Sequence, residues 1–256
     1  MKPARMRWVA GLVLLGAAPA LAVEQDPTLH RYEARTIVTG TDLRSRPAGF
    51  AACLTDVLVK VSGDPTLAAE PRLAPLAAHA ADYVVDFDYW DRMSGISHHD
   101  EQGSGDRPYN LTVRFDPGRI AAALRDLGRA PWPDPRPTIV ALVHVEDARG
   151  GFDLTSSAPR AGGMRAALVD TAQKYGVTIA VPDAGGFAAP VLPPGEVALR
   201  GQLVLSEAAL GWVAKWHLDW QGRAYDWGIG GVNFDAAFRD GAAGAIEVLS
   251  GHGAPQ

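Results

Sequence analysis

From Ala130 the chain reads Ala-Pro-Trp-Pro-Asp-Pro-Arg-Pro, with Pro131, Pro133, Pro135 and Pro137 at every second position. Each proline fixes φ and removes a backbone donor, so this stretch can be neither helix nor central strand. It forces the 256 residues to be read as two halves joined by a stiff, extended connection. Such a connection is either a domain linker or a rigid strut inside one unit. The linker reading divides the chain into an N-terminal unit, 23–128, a prolyl segment, 129–137, and a C-terminal unit, 138–256.

In the first half, His30 to Val38 carries the β-branched and aromatic residues of a strand. Phe50, Cys53, Leu54, Val57, Leu58 and Val61 then recur at three- and four-residue steps, which predicts a helix over 47–61 with one apolar face. Pro47 near its start and Gly63 beyond its end are the expected punctuation. A second helix is predicted over 74–82. A strand over 83–89 follows, with Tyr83, Val85, Phe87 and Tyr89 on one face. A Gly-rich loop over 94–107 leads to a strand over 109–115. Asp116-Pro117 opens a helix faced by Ile120, Ala123, Leu124 and Leu127.

The second half begins with the continuous apolar run Thr138 to Val145, the pattern of a strand buried on both faces. Residues 146–161 read as a loop, 163–175 as a helix closed by Gly176, and 177–181 as a short strand, giving a β-α-β unit. After a Pro/Gly loop, three antiparallel strands are predicted over 197–205, 211–220 and 224–229, with Gln221-Gly222-Arg223 as the last turn. Asn233 caps a final helix, 234–249. The fold class is therefore α/β (α+β): two small α/β units, the second a mixed sheet ending in a C-terminal helix.

The first 22 residues carry the marks of a secretory signal peptide: Lys2, Arg5 and Arg7, an apolar core from Trp8, and Ala20-Leu21-Ala22 before a cut at Val23. The apolar stretch is shorter than the ~20 residues a spanning helix needs. Its removal takes three cations from a chain of formal charge −5, leaving −8. An acidic, exported chain is a poor ligand for nucleic acid. With Cys53 as its single cysteine, no intramolecular disulfide can form. The expected location is the periplasm, with no stable membrane insertion.

Five groups of residues could carry chemistry. On the strand from Gly211, alternation puts Trp212, Trp216 and Trp220 on one face and Val213, Lys215, His217 and Asp219 on the other. With Trp227 they could form an aromatic platform for sugar rings, and these four are the candidate ligand-binding residues. Alternatively they pack beneath a helix. The matched apolar set Val197, Leu199, Gly201, Leu203 and Leu205 on the preceding strand favours packing. Asp86 and Asp88 share a strand face and could serve as an acid/base pair, or be the wet side of a half-buried strand. His98-His99-Asp100-Glu101 has metal-ligand residue types, but adjacent residues rarely ligate one ion together. Cys53 lies on an apolar helix face, where a thiol is packing. Gly228-Ile229-Gly230-Gly231 lacks the spacing and lysine of a phosphate loop and reads as a strand-to-helix turn. No nucleophile elbow occurs. The expectation is no catalytic residue, no cofactor and no metal.

Several stretches together resemble the proteobacterial envelope family catalogued as domain of unknown function 2066. They are Val57 to Gly63, Tyr83 to Tyr89, Leu111 to Asp116, Trp132 to Pro137, Leu199 to Leu203 and Gly211 to Trp216. The second half is also similar in topology to α/β modules of periplasmic assembly factors, such as the TolB amino-terminal domain or lipoprotein activators of penicillin-binding proteins. The resemblance implies a periplasmic protein of unassigned activity and transfers no site residues. The functional expectation is a non-enzymatic, envelope-associated binding protein that docks a protein or cell-wall partner. A carbohydrate- or peptidoglycan-binding module using the Trp set, and a periplasmic hydrolase built on Asp86 and Asp88, stand as alternatives.

Overall fold

A computed structural model describes residues 29–95 and 107–255. The signal segment and the His98–Glu101 cluster lie outside the described residues. The elements are β1 (Glu33–Thr39), α1 (Arg46–Ser62), α2 (Leu73–Ala78), β2 (Val84–Asp91), β3 (Pro108–Phe115) and α3 (Pro117–Asp126) in the first half. The second half holds β4 (Thr138–Asp147), β5 (Gly150–Asp153), α4 (Gly162–Tyr175), β6 (Ile179–Ala180), α5 (Ala184–Ala188), β7 (Glu196–Ser206), β8 (Gly211–Trp220), β9 (Arg223–Val232) and α6 (Phe234–Leu249). The α/β class and the C-terminal helix are as the sequence predicts.

Two sheets result. β1, β3 and β2 form a three-stranded antiparallel sheet in that order. The larger sheet runs β5-β4-β7-β8-β9, with β6 beside β4. β6 and β7 are both parallel to β4, and β8 is antiparallel to β7 on one side and to β9 on the other. Among the described residues no helix is long and apolar enough to cross a membrane.

α1 is the central element. Cys53, Leu54, Val57, Leu58 and Val61 are buried on its apolar stripe, and each aliphatic side chain so buried contributes about 1.5–3 kcal/mol. Gly63 ends α1 in the left-handed region (φ 69°) and donates its N–H to Val59 O at 2.9 Å. The last carbonyls of this helix find partners in the prolyl segment. Trp132 N donates to Val61 O at 2.9 Å. Arg136 donates from Nη1 to Lys60 O at 2.8 Å and from Nη2 to Val61 O at 3.0 Å. The Arg136 guanidinium also lies 4.4 Å from the Trp132 ring centre, and burial pushes its pKa down to about 10. The segment between the halves is thus packed as a cap on α1. Ser250, just past α6, adds a hydroxyl bond to Gly63 O at 2.7 Å.

Four local readings change. The helix predicted over 74–82 is a single short α2 followed by a 3-10 turn, Ala80–Tyr83, which carries the chain down to the sheet. The loop over 146–161 contains β5, which returns along β4 as a hairpin through Gly150 at φ 101°. The register of β2 shifts between Val84 and Asp86, a bulge that turns Val85 outward to 67% exposure while Phe87 and Tyr89 stay against the core. Finally, Gly228 to Gly231 lies inside β9 and is no strand-to-helix turn. A Cβ on Gly228 would stand 2.4 Å from Ala214 O, so glycine is what lets β9 close on β8 there.

Candidate binding surface

The alternation along β8 is as the sequence predicts. What it faces is α6. Trp216 and Trp227 are register partners on β8 and β9, 2% and 8% exposed. α6 comes close enough to cover them because it carries glycine at two facing positions. A Cβ on Gly241 would lie 2.5 Å from Trp216 Cε2, and one on Gly244 2.5 Å from Trp227 Cε2. The Trp216 ring also lies over Gly201 of β7, where a Cβ would come within 2.3 Å of it. Glycine inside a helix costs about 1 kcal/mol relative to alanine, offset here by the indole area buried. Trp212 and Trp220 are half-buried and pack against the margin of the same core. Trp216 and Trp227 therefore have no ring face for a sugar, and the four do not form an open platform. The sequence signal for this was the Gly-Ala-Ala-Gly spacing of α6, which matches the two indoles.

The opposite side of the β7–β9 region carries the polar half of each strand. Its residues line up in two cross-strand rows. Leu142, Arg200, His217 and Asp226 are successive partners in one. Asp153, His144, Gln202, Lys215 and Gly228 are successive partners in the other. Each row places a histidine against a carboxylate. His144 Nδ1 is 2.7 Å from Asp153 Oδ1. His217 Nδ1 is 2.8 Å from Asp226 Oδ1, and its Nε2 is 3.2 Å from Asp219 Oδ2. Only the doubly protonated ring can donate to both carboxylates. The hydrogen bond to Asp226, then that to Asp219, raises the His217 pKa above its ordinary value. Between the two histidines stand Arg200 and Lys215, both exposed. Among the described residues neither makes an ion pair or side-chain hydrogen bond.

On the three-stranded sheet, Asp86 and Asp88 do share the solvent face. Arg114 occupies both. Its Nη1 is 3.0 Å from Asp86 Oδ2, its Nη2 3.0 Å from Asp88 Oδ2, and its Nε 3.0 Å from Glu33 Oε2. The two aspartates are thus taken up in a surface ion network. Trp90, which the sequence reading passed over, stands beside it at 57% exposure, and Ile37 is exposed two strands away in the same row. Cys53 is fully buried. Burial, and then the charge of Asp56, pushes its thiol up to about 12, which leaves no thiolate for chemistry at neutral pH. Among the described residues no three His, Cys, Asp or Glu side chains converge to hold a metal ion.

Residues 28–133 match a family described as a domain of unknown function, DUF8605. The matched part covers the three-stranded sheet with α1 to α3 and ends within the prolyl segment. This overturns the resemblance to domain of unknown function 2066, and no similarity to the TolB domain or to penicillin-binding-protein activators is found. Most of the stretches that suggested domain 2066 are strand segments, a helix C-cap and an N-cap, which many α/β units share. No curated protein and no solved structure matches the chain.

Proposed function

We propose that the protein is an exported binding protein of the cell envelope, and that it docks a protein or cell-wall partner on the solvent-facing side of β7 to β9. The observation that carries this reading is the pair of cations at the centre of that side. Arg200 and Lys215 are exposed, lack carboxylate partners among the described residues, and lie between two His–Asp pairs. In an acidic chain, cations held in fixed register on a rigid sheet favour a partner that supplies the missing negative charge. Placement on strands also keeps the array ordered before binding, which limits the entropy lost on docking. Export rests on residues 1–22, with cleavage before Val23.

The test is proximity cross-linking of the mature protein in intact cells, comparing wild type with an Arg200→Glu, Lys215→Glu double variant. A dominant envelope partner captured by the wild type should be lost from the variant and retained by Trp90→Ala on the other sheet. Equal capture by the double variant would remove this surface from the proposal. N-terminal sequencing of the secreted form should begin at Val23.

A further inference from the structure

The prolyl segment, the end of α1 and the residues after α6 meet around a cleft of about 520 Å3, lined among others by Ser62, Arg129, Trp132, Pro133, Ser250 and His252. This is within the ~300–1,000 Å3 range of small-molecule sites. It lies where the two halves join, away from the solvent-facing side of β7 to β9, and owes nothing to the reading of that surface.

Arg129 is presented here by a buried partner. Its Nε donates to Asp64 Oδ2 at 2.6 Å, and the Asp64 side chain is 1% exposed. Burial works against the Asp64 charge. Hydrogen bonds from Thr66 and Arg129, and the nearby His252, outweigh it and hold the carboxyl below its ordinary range. The anchoring uses only the Nε side of the guanidinium. Among the described residues neither Nη nitrogen has a hydrogen-bond partner, so the end-on edge of the fork, the edge that takes an oxyanion in two parallel bonds, is available.

His252 is set the same way. Its Nδ1 is 2.7 Å from Ser250 Oγ. Ser250 gives its own hydrogen to Gly63 O at 2.7 Å, so Nδ1–H is the donor in the contact with His252. The serine is therefore a tether and no nucleophile. Nε2 makes no hydrogen bond among the described residues and becomes a second donor when the ring is protonated. The charged groups around it are Arg129, Asp64 and Glu247. Burial, and then Asp64, raises the Glu247 pKa, which eases the loss of this negative charge on acidification.

We infer that this cleft binds a small molecule bearing a carboxylate or phosphate, held by the Nη edge of Arg129 and by His252, with its body against the exposed rings of Pro131 and Pro133. The test is an NMR titration of the intact mature protein with inorganic phosphate and, separately, with acetate, following the His252 ring. A saturable shift is expected. Binding should weaken at least tenfold in His252→Gln and in Arg129→Lys, which keeps a cation beside Asp64 but lacks the fork. Lys215→Glu should leave it unchanged. Saturation by phosphate alone assigns a tetrahedral anion, and saturation by acetate alone a carboxylate. Either supports the site. No saturation by either ion, or undiminished binding in both cleft variants with otherwise superimposable spectra, overturns it.

Discussion

On the three-stranded sheet the solvent side completes its own electrostatics, since one arginine, Arg114, meets Glu33, Asp86 and Asp88, each at 3.0 Å. On the six-stranded sheet the solvent side is left incomplete, with Arg200 and Lys215 lacking carboxylates among the described residues. The buried sides differ as well. α1 covers its sheet mainly with aliphatic side chains, with Gly49 close against Leu111, while α6 sets two glycines against two indoles, flanked by Phe238 and Ile246. The comparison separates what holds each half together from what each offers outside. A network satisfied within its own sheet has little left for a partner. A sheet whose charges are spaced but unmatched has a reason to meet one.

Substitutions grade this contrast by size. Leu54→Ala, in the aliphatic core, should lower the unfolding free energy by about 4 kcal/mol in urea denaturation. Asp64→Asn should cost about 3 kcal/mol, because it removes the charge that pairs with Arg129 and sets an amide donor against Arg129 Nε, even though Oδ1 can still accept from Thr66 N. Its pH dependence has a definite sign. The folded pKa lies below 3.8, so the Asp64 contribution is present above that value and is lost as the pH falls through the folded pKa. Wild type and Asp64→Asn should therefore converge in acid. Gly241→Ala should destabilise by about 2 kcal/mol in the same assay, although alanine is the better helix former, because its Cβ would meet a ring with nowhere to move. A stabilised Gly241→Ala would show that α6 does not rest on Trp216 as described.

The solvent-side effects are smaller. Arg114→Gln should cost about 0.5–1 kcal/mol, since all four groups are at least partly exposed. His217 is the mildest case. Its raised pKa gives stability that is present below about 6.5, the ordinary value, and fades as the pH rises through the folded pKa. Solvent screening limits this to a few tenths of a kcal/mol. An NMR titration of its ring should show the midpoint falling in Asp226→Asn. An unchanged midpoint would deny the cross-strand pair.

Much of the fold was legible because its elements are built on clean periods. The three- and four-residue steps of α1 and the alternation of β8 needed no tertiary context. The bulge at Val85 was not legible, since a register shift arises from how two strands fit and leaves the alternation of one strand intact. The His217–Asp226 pair was closer to hand. Its register follows from a two-residue turn, Gln221–Gly222, both at positive φ, which pairs Trp220 with Arg223 and so brings 217 opposite 226. Counting Arg223 into the turn hid that partner. The burial of Trp216 and Trp227 was implied by the glycines of α6, which have meaning only once helix and strands are set face to face.

The cap that Trp132 and Arg136 place on α1 also bears on how the chain can be dissected. A fragment ending at Gly128, the natural cut before the prolines, would leave the Lys60 and Val61 carbonyls without Arg136 and the Val61 carbonyl without Trp132. The DUF8605 match, which runs to residue 133, takes in the tryptophan and stops short of the arginine. An autonomous N-terminal piece would have to carry residues through Pro137, and even then would lack the Ser250 hydroxyl bound to Gly63 O. The smallest folding unit of the first half is thus longer than its own sheet and helices, and borrows its last side chains from what comes after.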